Sequence, residues 1–253
     1  MTPGTVVFVG AGPGAADLVT LRGLQRLRQA DVVMFDALAD PALREFAPQA
    51  CWVSVGKRGF CDSTGQAAIN AMLVRHAKCG KRVVRLKGGD PSVFGRLEEE
   101  IEALAGAGVN FEVVPGVTAA LAAAADTRRP LTRRGSGRSV SLSTAMTQTG
   151  SLGAGRHADT EVFYMAGRQL GALGRRLLAA TWPADTPSCV VSRAGWPDSL
   201  SSTHRLSDLG RAALLHAGRP TVVTVGVGAR AVAAAPLFMA LDTFPAALPL
   251  PAP

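Results

Sequence analysis

The sequence predicts an α/β protein of two units, residues 1–117 and 118–245, with a Pro/Ala-rich tail at 246–253. Three observations point there. Through residue 114, short β-branched runs alternate with segments of helical apolar spacing, the pattern of a mainly parallel sheet covered on both faces. Pro115-Gly116 then interrupts the chain, and beyond it long helical segments thin out while short β runs multiply. With 253 residues, 47% of them apolar, the chain has enough material for a sizeable core and lacks the composition of a disordered one.

Thr5–Val9 is the first strand, ended by the turn Gly10-Ala-Gly-Pro-Gly14. Over Leu18–Ala30, Leu18, Leu21, Leu24 and Leu27 recur at helical spacing. Asp31–Asp36 is a second, buried strand and Trp52–Val55 a third. A helix over Thr64–Cys79, a strand at Arg82–Leu86, a helix at Gly95–Ala107 and a strand at Phe111–Val114 complete the first unit. The Ala-rich helix Thr118–Ala125 opens the second and leads into a basic, turn-prone stretch, Arg128–Arg138. Strands at Ser139–Ser143, Glu161–Met165 and Ser188–Arg193 precede a helix at Ser207–Ala217 and a strand at Thr221–Val225. From Ala229 onward the composition predicts a peripheral tail.

No apolar run reaches the roughly 18–20 residues of a transmembrane helix. No basic residue precedes the short apolar run within Met1–Asp17, so no secretory signal is read and the expected location is the cytoplasm. Cys51, Cys61, Cys79 and Cys189 form no CxxC pair and no zinc-like spacing with histidine, which predicts reduced thiols and no metal site. Twenty-seven basic residues against nineteen acidic give a net charge of +8. Such a balance favours a polyanionic partner, whether nucleic acid, anionic membrane or a carboxylate-rich small molecule. Arg128–Arg138 contains no aromatic residue to stack on bases, which argues against nucleic acid.

Gly10-x-Gly12-x-x-Ala15 satisfies the loose dinucleotide fingerprint, and Asp36 ends the second strand where a ribose-binding acid would sit. Pro13 removes a backbone donor from that turn, and Gly10 to Asp36 is longer than the usual spacing of about twenty residues. A plain strand-to-helix turn is the simpler alternative. Sharper is Arg85-Leu-Lys-Gly-Gly-Asp-Pro-Ser-Val-Phe-Gly-Arg96, where a strand runs straight into Gly88-Gly89-Asp90. Open α/β folds bind ligands at that end of a parallel strand. Two glycines let a ligand lie against bare backbone, and Asp90 either accepts from ligand hydroxyls or caps a structural turn.

Val113-Val-Pro-Gly-Val-Thr-Ala-Ala120, Gly56-Lys-Arg-Gly59, Phe35-Asp-Ala-Leu38 and Phe163-Tyr-Met165 accompany these loops in order. With them, the chain closely resembles the uroporphyrinogen-III C-methyltransferases of the tetrapyrrole (class III) methyltransferase superfamily, from Val6 to about Val227. The resemblance is to the stand-alone form, without an upstream dehydrogenase module. It implies a homodimer of two-domain α/β subunits with S-adenosylmethionine in the cleft between domains and S-adenosylhomocysteine as product. It further implies methylation of uroporphyrinogen III at C2 and C7 to give precorrin-2, the branch point toward sirohaem and cobalamin. By motif match, the cofactor would contact Pro13, Gly88, Gly89, Asp90, Val93, Thr118, Ala119, Met165 and Gly195. Asp36 falls where the family places a proton acceptor and Lys57 where it places a proton donor.

The chemistry suits these residue types. A sulfonium methyl is already activated, so alignment with an electron-rich pyrrole carbon is the main task. A carboxylate and an ammonium then serve the proton movement that relieves charge on the macrocycle. Arg133 and Arg134 fall on the family's histidine-arginine positions beside Pro130-Leu-Thr132, and are expected to bind the acceptor's carboxylates through paired hydrogen bonds. The chain departs from the family pattern at Ser92, Leu97, Arg133 and Met146, which bears on the acceptor more than on the cofactor. The rivals are a methylase of a later corrin intermediate and, in another class, an NAD- or FAD-binding oxidoreductase that rests on the Gly10 loop and Asp36.

Overall fold

A computed structural model describes residues 4–56, 65–145 and 156–232. Two five-stranded sheets organise it. The first, in the order β3-β2-β4-β1-β5, contains β1 (Thr5–Gly10), β2 (Val32–Phe35), β3 (Cys51–Ser54), β4 (Val83–Lys87) and β5 (Asn110–Val114). Every pairing in it is parallel. The second, in the order β6-β7-β10-β8-β9, contains β6 (Val140–Thr144), β7 (Thr160–Tyr164), β8 (Pro187–Ser192), β9 (Leu200–Arg205) and β10 (Thr221–Gly226). There only β6 and β7 run parallel; the other three pairings are antiparallel.

Both sheets are covered on two faces. On the first, α1 (Leu21–Arg28) and the 3₁₀ turn Pro41–Phe46 pack Leu27 and Leu43 against Val9, Val33 and Leu86. The opposite face takes α2 (Gln66–Lys78), whose buried Ile69, Leu73 and Ala77 recur at helical spacing, and α3 (Leu97–Gly106). The second sheet is covered by the alanines of α4 (Ala119–Asp126) on one side. On the other lie α5 (Leu170–Ala179), Trp182 and the segment 206–212.

Local chemistry fixes several boundaries. Thr20 Oγ1 accepts the Gly23 amide at 3.1 Å, so α1 starts at Leu21 and the preceding Ala16–Leu18 forms a separate 3₁₀ turn. The expected helix over Ser207–Ala217 divides into a 3₁₀ turn, Leu206–Arg211, and the short α6 (Ala212–Leu215). Strand β9 and helix α5 lie outside the sequence-based assignment. No helix among the described residues is long and apolar enough to cross a membrane.

Candidate active site

The site forms where the carboxyl ends of β1, β4 and β5 release three glycine-bearing loops. Ala11 N–H donates to the Lys87 carbonyl at 2.8 Å, and Gly12 and Gly89 exchange hydrogen bonds at 2.7 and 3.3 Å. Gly116 closes on both. A methyl on Gly10 would fall 2.5 Å from Gly116 Cα and 2.8 Å from the Gly89 carbonyl oxygen, so the three backbones meet with no room for a side chain. Asp90 fastens the join: Oδ1 accepts the Ser92 amide at 2.8 Å and Oδ2 the Gly116 amide at 2.9 Å. It therefore does the capping work that the sequence left open. Each oxygen keeps a lone pair for a further donor.

The second sheet supplies the facing wall. Ala15 N–H donates to the Gly195 carbonyl at 2.8 Å, Trp196 Nε1 to the Pro13 carbonyl at 3.1 Å, and Gly195 N–H to Asp126 at 2.9 Å. The first two bonds stitch the first glycine loop to the turn after β8, and the third ties that turn to the end of α4. Between the walls lies a cleft of about 210 Å³. Pro13, Gly88, Gly89 and Asp90 line one side; Val93, Thr118, Ala119 and Met165 continue around it. Gly195 does not line the cleft itself, but its neighbours Ala194 and Trp196 do. Phe94, Met165 and Arg193, all lining residues, hold left-handed backbone (φ 53°, 55° and 52°), an uncommon state for residues with a side chain. The Thr118 and Tyr164 hydroxyls sit 2.8 Å apart, and burial pushes the Tyr164 phenol up, which keeps it protonated.

The Tetrapyrrole (Corrin/Porphyrin) Methylases match this chain over residues 5–210. The chain belongs to this family. Uroporphyrinogen-III C-methyltransferase of Pseudomonas aeruginosa is 42% identical over 92% of this chain and 98% of its own length. Siroheme synthase 2 of Serratia proteamaculans is 43% identical over 88% of this chain, which spans about half of that relative, 49%. Among solved structures, uroporphyrin-III C-methyltransferase of Thermus thermophilus complexed with S-adenosylhomocysteine has a TM-score of 0.77 at 34% identity, covering 89% of this chain and 98% of that one. A cobalt precorrin-4 methyltransferase of cobalamin biosynthesis has a TM-score of 0.80 at 28% identity, covering 90% and 96%.

In this methylase, Asp36 lies at the end of β2, on the same sheet edge as the glycine loops and about one-third exposed. Its Oδ1 accepts from Arg85 Nη2 at 2.6 Å. Lys57 lies outside the described residues, as does Met146. Arg133 and Arg134 are not brought to the cleft. They sit on the turn closed by the Arg133–Gly137 bridge, where the Arg133 guanidinium donates to the Arg230 carbonyl and Gly137 packs on Val227. The cleft meets the second sheet at Tyr164 and Val222, whereas the turn meets it beyond Gly226, about 13 Å away along β10. A larger hollow of about 800 Å³ opens at that far end beside Arg128 and Arg129, but none of the glycine loops reaches it.

Sequence reasoning did not single out Leu38, Phe94, Tyr164, Arg193 or Trp196 as lining residues. Tyr164 and Phe94 stood inside quoted motifs, and their ring contact at 5.0 Å carries no sequence signal. Arg193 is the cation of the described lining. It is committed to Asp198 at 2.7 Å and lies over the Trp196 ring at 4.3 Å.

Proposed function

We propose that this chain transfers methyl groups from S-adenosylmethionine to C2 and C7 of uroporphyrinogen III, giving precorrin-2, and that it acts as a cytoplasmic homodimer. The observation that carries the reading is the cleft itself. Bare glycine backbone and an Asp90 carboxylate face apolar Val93, Ala119, Val191 and Val222, a mixture suited to a ribose diol, an adenine and a sulfonium cation. It suits a dinucleotide poorly. Pro13 has no amide to offer a pyrophosphate, and the Arg193 guanidinium is already paired. The 42% identity to a uroporphyrinogen-III C-methyltransferase across nearly the whole chain supports the acceptor, and it favours that acceptor over a corrin intermediate.

When bound, S-adenosylmethionine supplies an activated methyl group. The chain's own residues hold and orient. Gly88, Gly89 and Asp90 grip one side of the donor, Thr118, Ala119 and Met165 the other, and Pro13 and Gly195 set the spacing between the walls. Asp36 receives at Oδ2 the proton that the macrocycle sheds after methylation, and Lys57 returns one. An acceptor with eight carboxylates is drawn by the chain's +8 charge.

Calorimetric titration of the full chain tests the donor assignment. Binding of S-adenosylhomocysteine without detectable NAD or FAD binding is the expected outcome. Tight NAD binding, insensitive to Asp90→Ala, would overturn it.

A further inference from the structure

Four charged side chains meet beneath the cleft, and the chemistry just proposed uses one of them. Arg85 and Lys87 stand two residues apart on β4, so both point toward the face covered by α2 and α3. Both are buried, at 3% and 2% exposure. Glu100, in the first turn of α3 and fully buried, receives one from each side. Its Oε1 accepts from Arg85 Nε at 3.1 Å and its Oε2 from Lys87 Nζ at 2.8 Å, while Gln66 donates to Oε1 at 3.2 Å. Arg85 Nη1 donates to the main-chain carbonyls of Leu86 and Met34 at 3.1 and 3.4 Å. Only Nη2 remains, and it meets Asp36.

Stability does not account for this arrangement. Desolvating each ion costs several kcal/mol, and well-packed apolar residues of the same volume are often equally stable or more so. A fixed direction does account for it. The guanidinium is a rigid planar fork. With Nε on Glu100 and Nη1 on two carbonyls, its plane is set, and so is the point at which Nη2 emerges. Lys87 holds Glu100 from the other side. Asp36, beyond the end of β2, is thereby gripped by Oδ1 alone; among the described residues nothing donates to Oδ2.

We propose that Arg85, oriented by Glu100 and Lys87, is a positioning residue that fixes Asp36 through Oδ1 and leaves Oδ2 free for the methyl acceptor. This rests on Asp36 being the proton acceptor. Arg85 touches neither donor nor acceptor, so its influence on turnover passes through Asp36.

A double-mutant cycle on the full-length protein tests it, with turnover on uroporphyrinogen III and S-adenosylhomocysteine affinity measured for each variant. Arg85→Lys keeps the charge but cannot span Glu100 and Asp36 together. It lowers kcat on the order of a hundredfold, the cost of misplacing a catalytic group by about 1 Å, and leaves the Kd of S-adenosylhomocysteine unchanged. In an Asp36→Asn background the same change costs no further turnover, because the two act as one unit. Glu100→Gln repeats the pattern more weakly, and its cycle with Asp36→Asn serves if Arg85→Lys does not fold. Equal losses in both backgrounds, or a loss of donor affinity matching the loss of kcat, would reduce Arg85 to a structural role and overturn the proposal. Full turnover by Asp36→Asn alone would instead remove Asp36 from the chemistry, and the inference with it.

Discussion

Replacing Gly10 by alanine strikes the join on which the cleft depends. The new methyl would lie 2.5 Å from Gly116 Cα, 2.6 Å from Gly116 N and 2.8 Å from the Gly89 carbonyl oxygen. All three are main-chain atoms, so no rotamer change relieves the contact. Carbon atoms sit comfortably at about 3.5 Å or more, so the loops must part by about 1 Å. Overpacking of this kind costs about 1–3 kcal/mol. The parting loads the bonds Ala11 to Lys87 and Gly12 to Gly89, which set the donor side of the cleft. If the larger part of that cost falls on the bound state, donor affinity drops about tenfold per 1.4 kcal/mol. Thermal unfolding and calorimetric titration with S-adenosylhomocysteine read the two effects separately. Gly106→Ala is the control: nothing lies within 4 Å of its added methyl, and it ends α3, so stability holds or rises by at most about 1 kcal/mol. A Gly10→Ala protein that melts and binds like the parent would refute the three-loop join.

Asp90→Ala removes acceptors from the Gly116 and Ser92 amides, and the Kd for S-adenosylhomocysteine should rise by the equivalent of about 1–3 kcal/mol; an unchanged titration would make the carboxylate dispensable. Arg134→Ala should leave the Michaelis constants for donor and acceptor alike, because Arg134 is exposed on a turn at the far end of the second sheet; a selective rise for uroporphyrinogen III would return that turn to the acceptor site. Burial, aided by His204 and Arg219, pushes the His216 imidazole down. A depressed pKa means fewer protons bound in the folded state, so this stability is present above the unfolded value of about 6.5 and is lost as pH falls below it. His216→Asn should flatten the fall in Tm below about pH 6.5, leaving the slope of His76, which burial also pushes down; an unaltered slope would disprove the linkage.

In the first sheet, β2 was the most legible strand because it is buried on both faces and reads as a continuous apolar run, Val32–Phe35, while the edge strands β3 and β5 are only partly buried. Strand β9 escaped because Leu200–Arg205 is an edge strand of Ser, Thr, His and Arg, whose burial alternates while its hydrophobicity barely does. Helix α5 carried a usable signal, Leu170, Leu173 and Leu177, diluted by Gly171 and Gly174. Gly174 has a packing reason, since its added methyl would meet the Leu206 carbonyl oxygen at 3.3 Å, whereas one on Gly171 would make only ordinary contacts, at 3.5 Å and beyond. The directions of the strands in the second sheet were not legible, since short β runs look alike whether their neighbours run parallel or antiparallel.

At the site, the glycine loops announced themselves because only glycine permits such backbone contact. The buried charges did not. Glu98, Glu99 and Glu100 are identical in the sequence, and only helical phase sends Glu100 inward while Glu99 pairs with exposed Arg96. Arg133 and Arg134 lie away from the donor cleft, which their sequence position does not reveal. Their type and motif position suggested carboxylate recognition, yet α4 carries the chain from the cleft at Thr118 to the far end of the sheet before they occur.

Methylation of uroporphyrinogen III by this chain has a direct test. Purified protein should be incubated with methyl-labelled S-adenosylmethionine and enzymatically generated uroporphyrinogen III under reducing conditions, and the product resolved by mass. Two labelled methyl groups on the macrocycle, with a matching yield of S-adenosylhomocysteine, are the expected outcome. A protein that binds S-adenosylhomocysteine but transfers no label to uroporphyrinogen III would contradict it.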